Sequence, residues 1–163
     1  MFNIIRPLIF KFSPEVAHSL AIKALKLNNI SYSKPIDNHI LETTFCEKKL
    51  SSPIGVAAGF DKNAEVYNPL FNLGFGFVEV GTITPKPQFG NPKPRVFRLE
   101  EDEALINRLG FNNSGSEQIS QTIKENNKKG FLGINIGPNK DSKDRIEDYL
   151  ICFRKFYNLA DYI

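Results

Sequence analysis

The chain has 163 residues, 41% of them hydrophobic and 24% charged, a composition that excludes a disordered tail, a collagen-like repeat or a small disulfide knot. Its net charge of +3 is too mild for a phosphate-tracking surface. The whole excess sits at one end: residues 1–40 carry five cations against two acids, while residues 41–163 carry 16 of each sign.

Met1 opens a short, very apolar segment over 1–12, punctuated by Arg6, Pro7 and Lys11. It lacks the long apolar centre and small-residue cleavage site of a secretory signal. Ser13-Pro14-Glu15 then reads as a helix start, with a hydroxyl cap, proline in the first turn and an acid at the positive end of the dipole. Val16, Ala17, Leu20, Ala21, Ala24, Leu25 and Leu27 recur at helical spacing. Two short amphipathic helices with basic edges result. Such a pair either packs on the rest of the chain or lies in a membrane interface, and the charge asymmetry favours the membrane.

Residues 31–38 form a polar linker and 43–52 a short hairpin with Glu47-Lys48-Lys49 in its middle. The pattern then changes to strand over 53–59, helix over 63–73, strand over 75–83, helix over 114–129 closed by Gly130, and strand over 131–137. Another helix follows over 144–159, and 161–163 begins a fourth strand. Alternating strands and helices mean a parallel sheet, and near-uniform apolarity in the strands means that both faces are covered. Residues 84–111 are too long for an ordinary connection, and loops of that size usually carry function. Cys46 and Cys152 are isolated, so neither a metal site nor a disulfide framework is expected, and a reducing compartment fits.

In parallel βα architectures the carboxyl ends of the strands carry the chemistry. The first ends in Ala57-Ala58-Gly59-Phe60-Asp61-Lys62, small residues that let a flat ligand lie on the backbone beside a cation. The second places Thr82 at the mouth, and the third places Asn135 there. Taken singly, each has an ordinary alternative: glycines serve turns, Asp-Lys is a common surface pair, and a lone Asn caps. The run 105–113 is dense in carboxamides, which donate and accept together and suit a ring of alternating N–H and C=O groups; Asn113 or Ser114 also suits a helix cap with Glu117 in the first turn.

Ala57-Ala58-Gly59-Phe60-Asp61-Lys62, Glu79-Val80-Gly81-Thr82-Ile83-Thr84-Pro85, Pro94-Arg95-Val96-Phe97-Arg98, Ile106-Asn107-Arg108-Leu109-Gly110-Phe111-Asn112-Asn113 and Gly133-Ile134-Asn135-Ile136-Gly137 together resemble the quinone-dependent class of dihydroorotate dehydrogenase. The similarity runs in order along essentially the whole chain. It implies an α/β fold, the first three to four βα units of a β/α (TIM) barrel over 41–163, preceded by an amphipathic helical module over 1–40. It implies an FMN flavoprotein that oxidises dihydroorotate to orotate in pyrimidine biosynthesis and passes the electrons to a membrane quinone. Ala57, Ala58, Gly59, Phe60, Asp61, Lys62, Thr82 and Asn135 would line FMN; Lys62, Asn107, Arg108, Leu109, Gly110 and Phe111 would hold the substrate. His18 and Arg98 would stand near the inner end of a quinone tunnel, although on the residues alone His18 suits a structural histidine and Arg98 a strand residue facing solvent.

The resemblance also implies a peripheral protein of the bacterial inner membrane (mitochondrial if eukaryotic), its partners being dihydroorotate or orotate, quinone and the membrane surface, without nucleic acid. The catalytic base of the class, a serine, and the glycine-rich phosphate site fall beyond Ile163, so no catalytic residue is expected here and the piece alone should be inactive. A soluble relative with a cysteine base would lack the amphipathic module. A peripheral membrane or partner-binding module without catalysis would explain the charge excess but not the amide-rich loop.

Overall fold

The computed structural model describes residues 2–27 and 39–163; the linker expected over 31–38 lies outside them. Helix α1 (Phe2–Phe10) and helix α2 (Pro14–Leu27) open the chain, and a 3-10 turn (His39–Leu41) leads to the hairpin of β1 (Thr43–Phe45) and β2 (Lys48–Leu50). The turn falls at Cys46 and Glu47, both at positive φ, which moves Lys48 from the expected turn into the strand.

Strands β3 (Gly55–Val56), β4 (Phe77–Ile83) and β7 (Phe131–Ile136) form a parallel sheet in sequence order. Residues 161–162 extend it through a parallel bridge between Gly133 and Tyr162, with Ile134 donating to Tyr162 O at 3.1 Å. Each strand therefore lies beside its predecessor without reversal, the order of a barrel wall rather than of a doubly wound sheet. Val78, Val80, Ile83, Leu132 and Ile134 point outward and are fully buried against Ile119 of α4 (Ser116–Glu125) and Cys152 and Phe156 of α5 (Arg145–Phe156).

The register of β4 on β7 runs Phe77 to Phe131 and Val80 to Ile134, then Ile83 to Ile136, so three steps on β4 span two on β7. Gly81, at φ +111, occupies this bulge, and a Cβ there would fall 2.4 Å from Asn135 O. The bulge puts Glu79 and Thr82 on the same inward face. At the opposite, amino end of the strands Phe131 stacks on Tyr162 at 5.7 Å, and Phe45 meets both edge-on, so the β1–β2 hairpin closes the floor.

Several expected bounds shift. The strand expected over 53–59 is only Gly55–Val56, because the chain turns at Gly59 (φ +107). The helix expected over 63–73 is α3 (Tyr67–Asn72): the Asp61 carboxylate accepts the N–H groups of Glu65 and Val66 at 2.8 Å, and Ala64 is left-handed at φ 56. Helix α4 ends at Glu125 rather than 129, because 126–129 is stitched to α3 through Tyr67 Oη on Asn126 O and Asn68 bonds to Asn127 and Lys129. The cap expected from Asn113 or Ser114 falls instead at Gly115, with no side-chain cap bond. The long segment 84–111 is not a simple loop: it contains an antiparallel hairpin of β5 (Val96–Leu99) and β6 (Ala104–Asn107), with the acidic run 100–103 as its turn.

Candidate functional site

At the carboxyl end of β4, Thr82 Oγ1 donates to Asn135 Oδ1 of β7 at 2.6 Å. Asn135 Nδ2 donates to Glu79 Oε1 at 3.1 Å, and Tyr162 Oη donates to Glu79 Oε2 at 2.9 Å. Three wall segments are thereby joined by one polar chain across the barrel interior. Burial pushes the Tyr162 hydroxyl well up, and its bond to the Glu79 carboxylate adds to that. The motif containing Glu79 was in view in the sequence; its link to Asn135 was not, because the bulge that aligns Glu79 with Thr82 has no signal in spacing.

The loop after β3 reaches the same place. Gly59 N–H donates to Gly81 O at 2.8 Å and Gly81 N–H to Asp61 O at 3.1 Å. A Cβ on Gly59 would meet nothing within 4 Å, so the backbone there faces open space. Lys62 Nζ donates to Gly59 O at 2.5 Å, which puts the cation at the rim. Burial holds the Lys62 ammonium below its ordinary range, partly offset by Glu15. Asp61, expected either to line the cofactor or to form a surface pair with Lys62, has its side chain turned into its own loop, 1% exposed, and burial raises its carboxyl despite backbone N–H donors. Only its backbone is available at the rim.

The 105–113 segment divides. Phe111, at φ 51, brings its ring 3.7 Å from where a Cβ on Gly137 would sit, with Thr82 Cγ2 at 2.9 Å from the same point, so it covers the end of β7. Asn113 is the structural anchor, its Oδ1 accepting from Thr84 and Gly115 N–H groups and its Nδ2 donating to Thr84 Oγ1. Asn112 Oδ1 is buried with no hydrogen-bond partner among the described residues. Asn107 and Arg108 bond along the hairpin instead: Asn107 Oδ1 accepts from Leu109 N at 3.4 Å, and Arg108 donates to Pro94 O at 3.0 Å. Gly110 O accepts from Gln88 Nε2 and Leu109 O from Asn91 N–H, each at 3.0 Å, so the 88–91 side holds this turn.

Helix α2 sits against this rim. His18 Nε2 lies 2.7 Å from Phe60 O, and its ring meets Phe60 edge-on at 5.4 Å. Glu15 accepts from Arg95 Nε at 3.0 Å and from its terminal nitrogen at 2.9 Å. Arg98 donates to Phe10 O and Phe12 O and places its guanidinium 4.4 Å from the Phe10 ring centroid. The helices thus pack on the sheet portion, yet Leu8, Ile9, Phe12, Val16 and Leu20 stay exposed. Among the described residues no helix is long and apolar enough to cross a membrane.

Sequentially ordered parallel βα units with polar side chains gathered at the strand ends define a β/α-barrel protein with a candidate site at the barrel mouth. A family model for dihydroorotate dehydrogenase matches residues 40–163. The chain is 52% identical to the dihydroorotate dehydrogenase (quinone) of Bartonella henselae over 157 residues, covering 96% of the chain and 43% of that protein. The same enzyme of Rhodospirillum rubrum is 49% identical at the same coverage. Crystal structures of dihydroorotate dehydrogenase from Eimeria tenella superpose with TM-scores of 0.84 (in complex with ferulenol) and 0.85 (ligand-free) at 40% identity, covering 92% of this chain and 42% and 44% of theirs. The chain belongs to the dihydroorotate dehydrogenase family, and it spans 43% of the length of the Bartonella relative.

Proposed function

We propose that the protein acts as a quinone-dependent dihydroorotate dehydrogenase, oxidising dihydroorotate to orotate with FMN and delivering the electrons to a membrane quinone in pyrimidine biosynthesis. The observation that carries this reading is the convergence of Gly59, Lys62, Thr82 and Asn135, from three separate strand ends, on one mouth. The residues present fit a flat cofactor: Gly59 offers bare backbone to open space, and Thr82 and Asn135 offer hydrogen-bonding groups beside it.

In this reading Ala57 to Lys62, Thr82 and Asn135 hold FMN, and Lys62 with the 107–111 segment holds dihydroorotate. When bound, FMN supplies the hydride acceptor and the connection to quinone. Lys62, already desolvated, pairs with a carboxylate more strongly than an exposed lysine would. The ring of Phe111, itself half exposed, lies over Gly137 beside this position. Residues 1–40 act as a separate membrane-facing module, its exposed apolar side chains and basic edges lying at the bilayer surface while His18 and Arg98 stand where a quinone approaches. The protein is accordingly peripheral to the membrane.

In a chain of the relatives' full length, one flavin per chain on purification and quinone-dependent oxidation of dihydroorotate is the expected result, whereas residues 1–163 by themselves are expected to be inactive. A full-length form that neither retains nor rebinds FMN would overturn the reading.

A further inference from the structure

The chain from Tyr162 through Glu79 and Asn135 to Thr82 has a direction, and we propose that Glu79 sets it: Glu79 is a positioning residue that fixes the hydrogen-bond polarity which Asn135 and Thr82 present to a ligand.

A carboxylate only accepts hydrogen bonds. With Tyr162 Oη donating to Oε2 at 2.9 Å, the atom of Asn135 that faces Oε1 at 3.1 Å must be its NH2. The carboxamide oxygen is then forced towards Thr82, and the threonine hydroxyl proton is committed to it at 2.6 Å. What remains for a ligand is complementary and specific: lone pairs on Thr82 Oγ1, which accept, and the second N–H of Asn135, which donates. A cyclic imide edge, with N–H beside C=O, matches that pair, whereas an edge with the reverse order meets donor against donor. Glu79 touches no ligand in this scheme. It acts through Asn135.

Replacement of Glu79 by Gln reverses the chain. Tyr162 still donates to the amide oxygen, but the new NH2 donates to Asn135, which flips so that its own NH2 faces Thr82. The threonine proton is released towards the ligand and the site presents two donors. Glu79→Gln is nearly isosteric, so the effect comes from polarity and not from packing.

The inference rests on the flavin reading for the ligand but not for the polarity, and the test separates the two. In flavin-free protein the Asn135 side-chain N–H signals are followed by NMR, identified by their loss in Asn135→Asp. Thr82→Val leaves their protection from solvent exchange unchanged in the parent and abolishes it in the Glu79→Gln background. On FMN titration Thr82→Val weakens binding about tenfold in the parent, as loss of one directed hydrogen bond does, and has no effect or tightens binding in Glu79→Gln. Thr82→Ser, which keeps the hydroxyl, leaves both backgrounds unchanged, and Thr82→Ala, which removes it, supplies the same comparison if Val is not tolerated.

Equal effects of Thr82→Val in both backgrounds, in exchange or in binding, would overturn the proposal. Failure of every form to bind FMN in a chain of the relatives' full length would overturn the function proposed above, while the exchange comparison still decides the polarity.

Discussion

Arg95 grips Glu15 across 80 residues of sequence, with two hydrogen bonds of 3.0 and 2.9 Å to one carboxylate oxygen. Its guanidinium also caps Phe89 O and Asn91 O, so a single side chain, 7% exposed, ties helix α2 to the base of the β5–β6 hairpin. The hydrogen bond from Arg95 holds the Glu15 carboxyl below its ordinary value of 4.5. A carboxyl depressed in the folded state contributes stability that is fully present above its unfolded value and is lost as pH falls through its folded one. Glu15→Gln is therefore expected to cost about 1–3 kcal/mol at neutral pH, a difference that closes below pH 4.5 in thermal unfolding followed against pH.

Asp161 does the equivalent at the floor. Its carboxylate, 5% exposed, accepts from Lys48 of the hairpin, from Lys128 at 2.7 Å and from Leu132 N–H at 2.8 Å. Burial pushes its carboxyl up, but these donors outweigh burial and the net shift is downward. Asp161→Asn is expected to lose about 2–4 kcal/mol, because two cations lose their partner at once. Denaturant unfolding checks the loss, and it too shrinks as pH falls below the ordinary aspartate range.

Lys62 should behave in the opposite sense. Its ammonium is desolvated and held below its ordinary range by burial, so the fold gains little from its charge. Lys62→Met is expected to leave the unfolding midpoint unchanged or slightly higher while weakening FMN or orotate binding by at least tenfold, measured by fluorescence titration. A parallel loss of stability and binding would assign Lys62 to the scaffold instead.

The exposed apolar residues of the amino-terminal helices predict interfacial binding. Leu8 is 59% and Phe12 48% exposed, next to Arg6 and Lys11. Replacing both apolar residues by Glu is expected to lower partition onto anionic vesicles by about a hundredfold or more, with flavin content unchanged, because two side chains of about 1.5–3 kcal/mol each are withdrawn from the interface. Co-sedimentation with vesicles measures it.

The alternation of strand and helix was readable because β4 and β7 are long apolar runs flanked by amphipathic helices, and the strand-end positions of Thr82 and Asn135 followed from it. The hairpin of β5 and β6 was missed, although Val96 to Leu99 and Ala104 to Ile106 are two short runs separated by four acidic residues; the prolines before them argued for a loop. Asp61 is expected from the resemblance to line FMN, with a surface pair as the ordinary alternative, and nothing local announces that its carboxylate closes back on Glu65 and Val66. Arg95 stood inside a recognised motif, yet its partner lies on another helix, and such distant pairings leave no trace in local spacing.

The extra residue that β4 spends opposite β7 also determines how this stretch tolerates change. Because three steps match two between Val80 and Ile83, removing Gly81 restores strict alternation and leaves Thr82 inward, still opposite Asn135. An in-frame loss of the Gly81 codon should therefore spare the Thr82–Asn135 pair but cut the two backbone bonds by which Gly59 and Asp61 are fastened to β4, detaching the first strand's loop from the mouth.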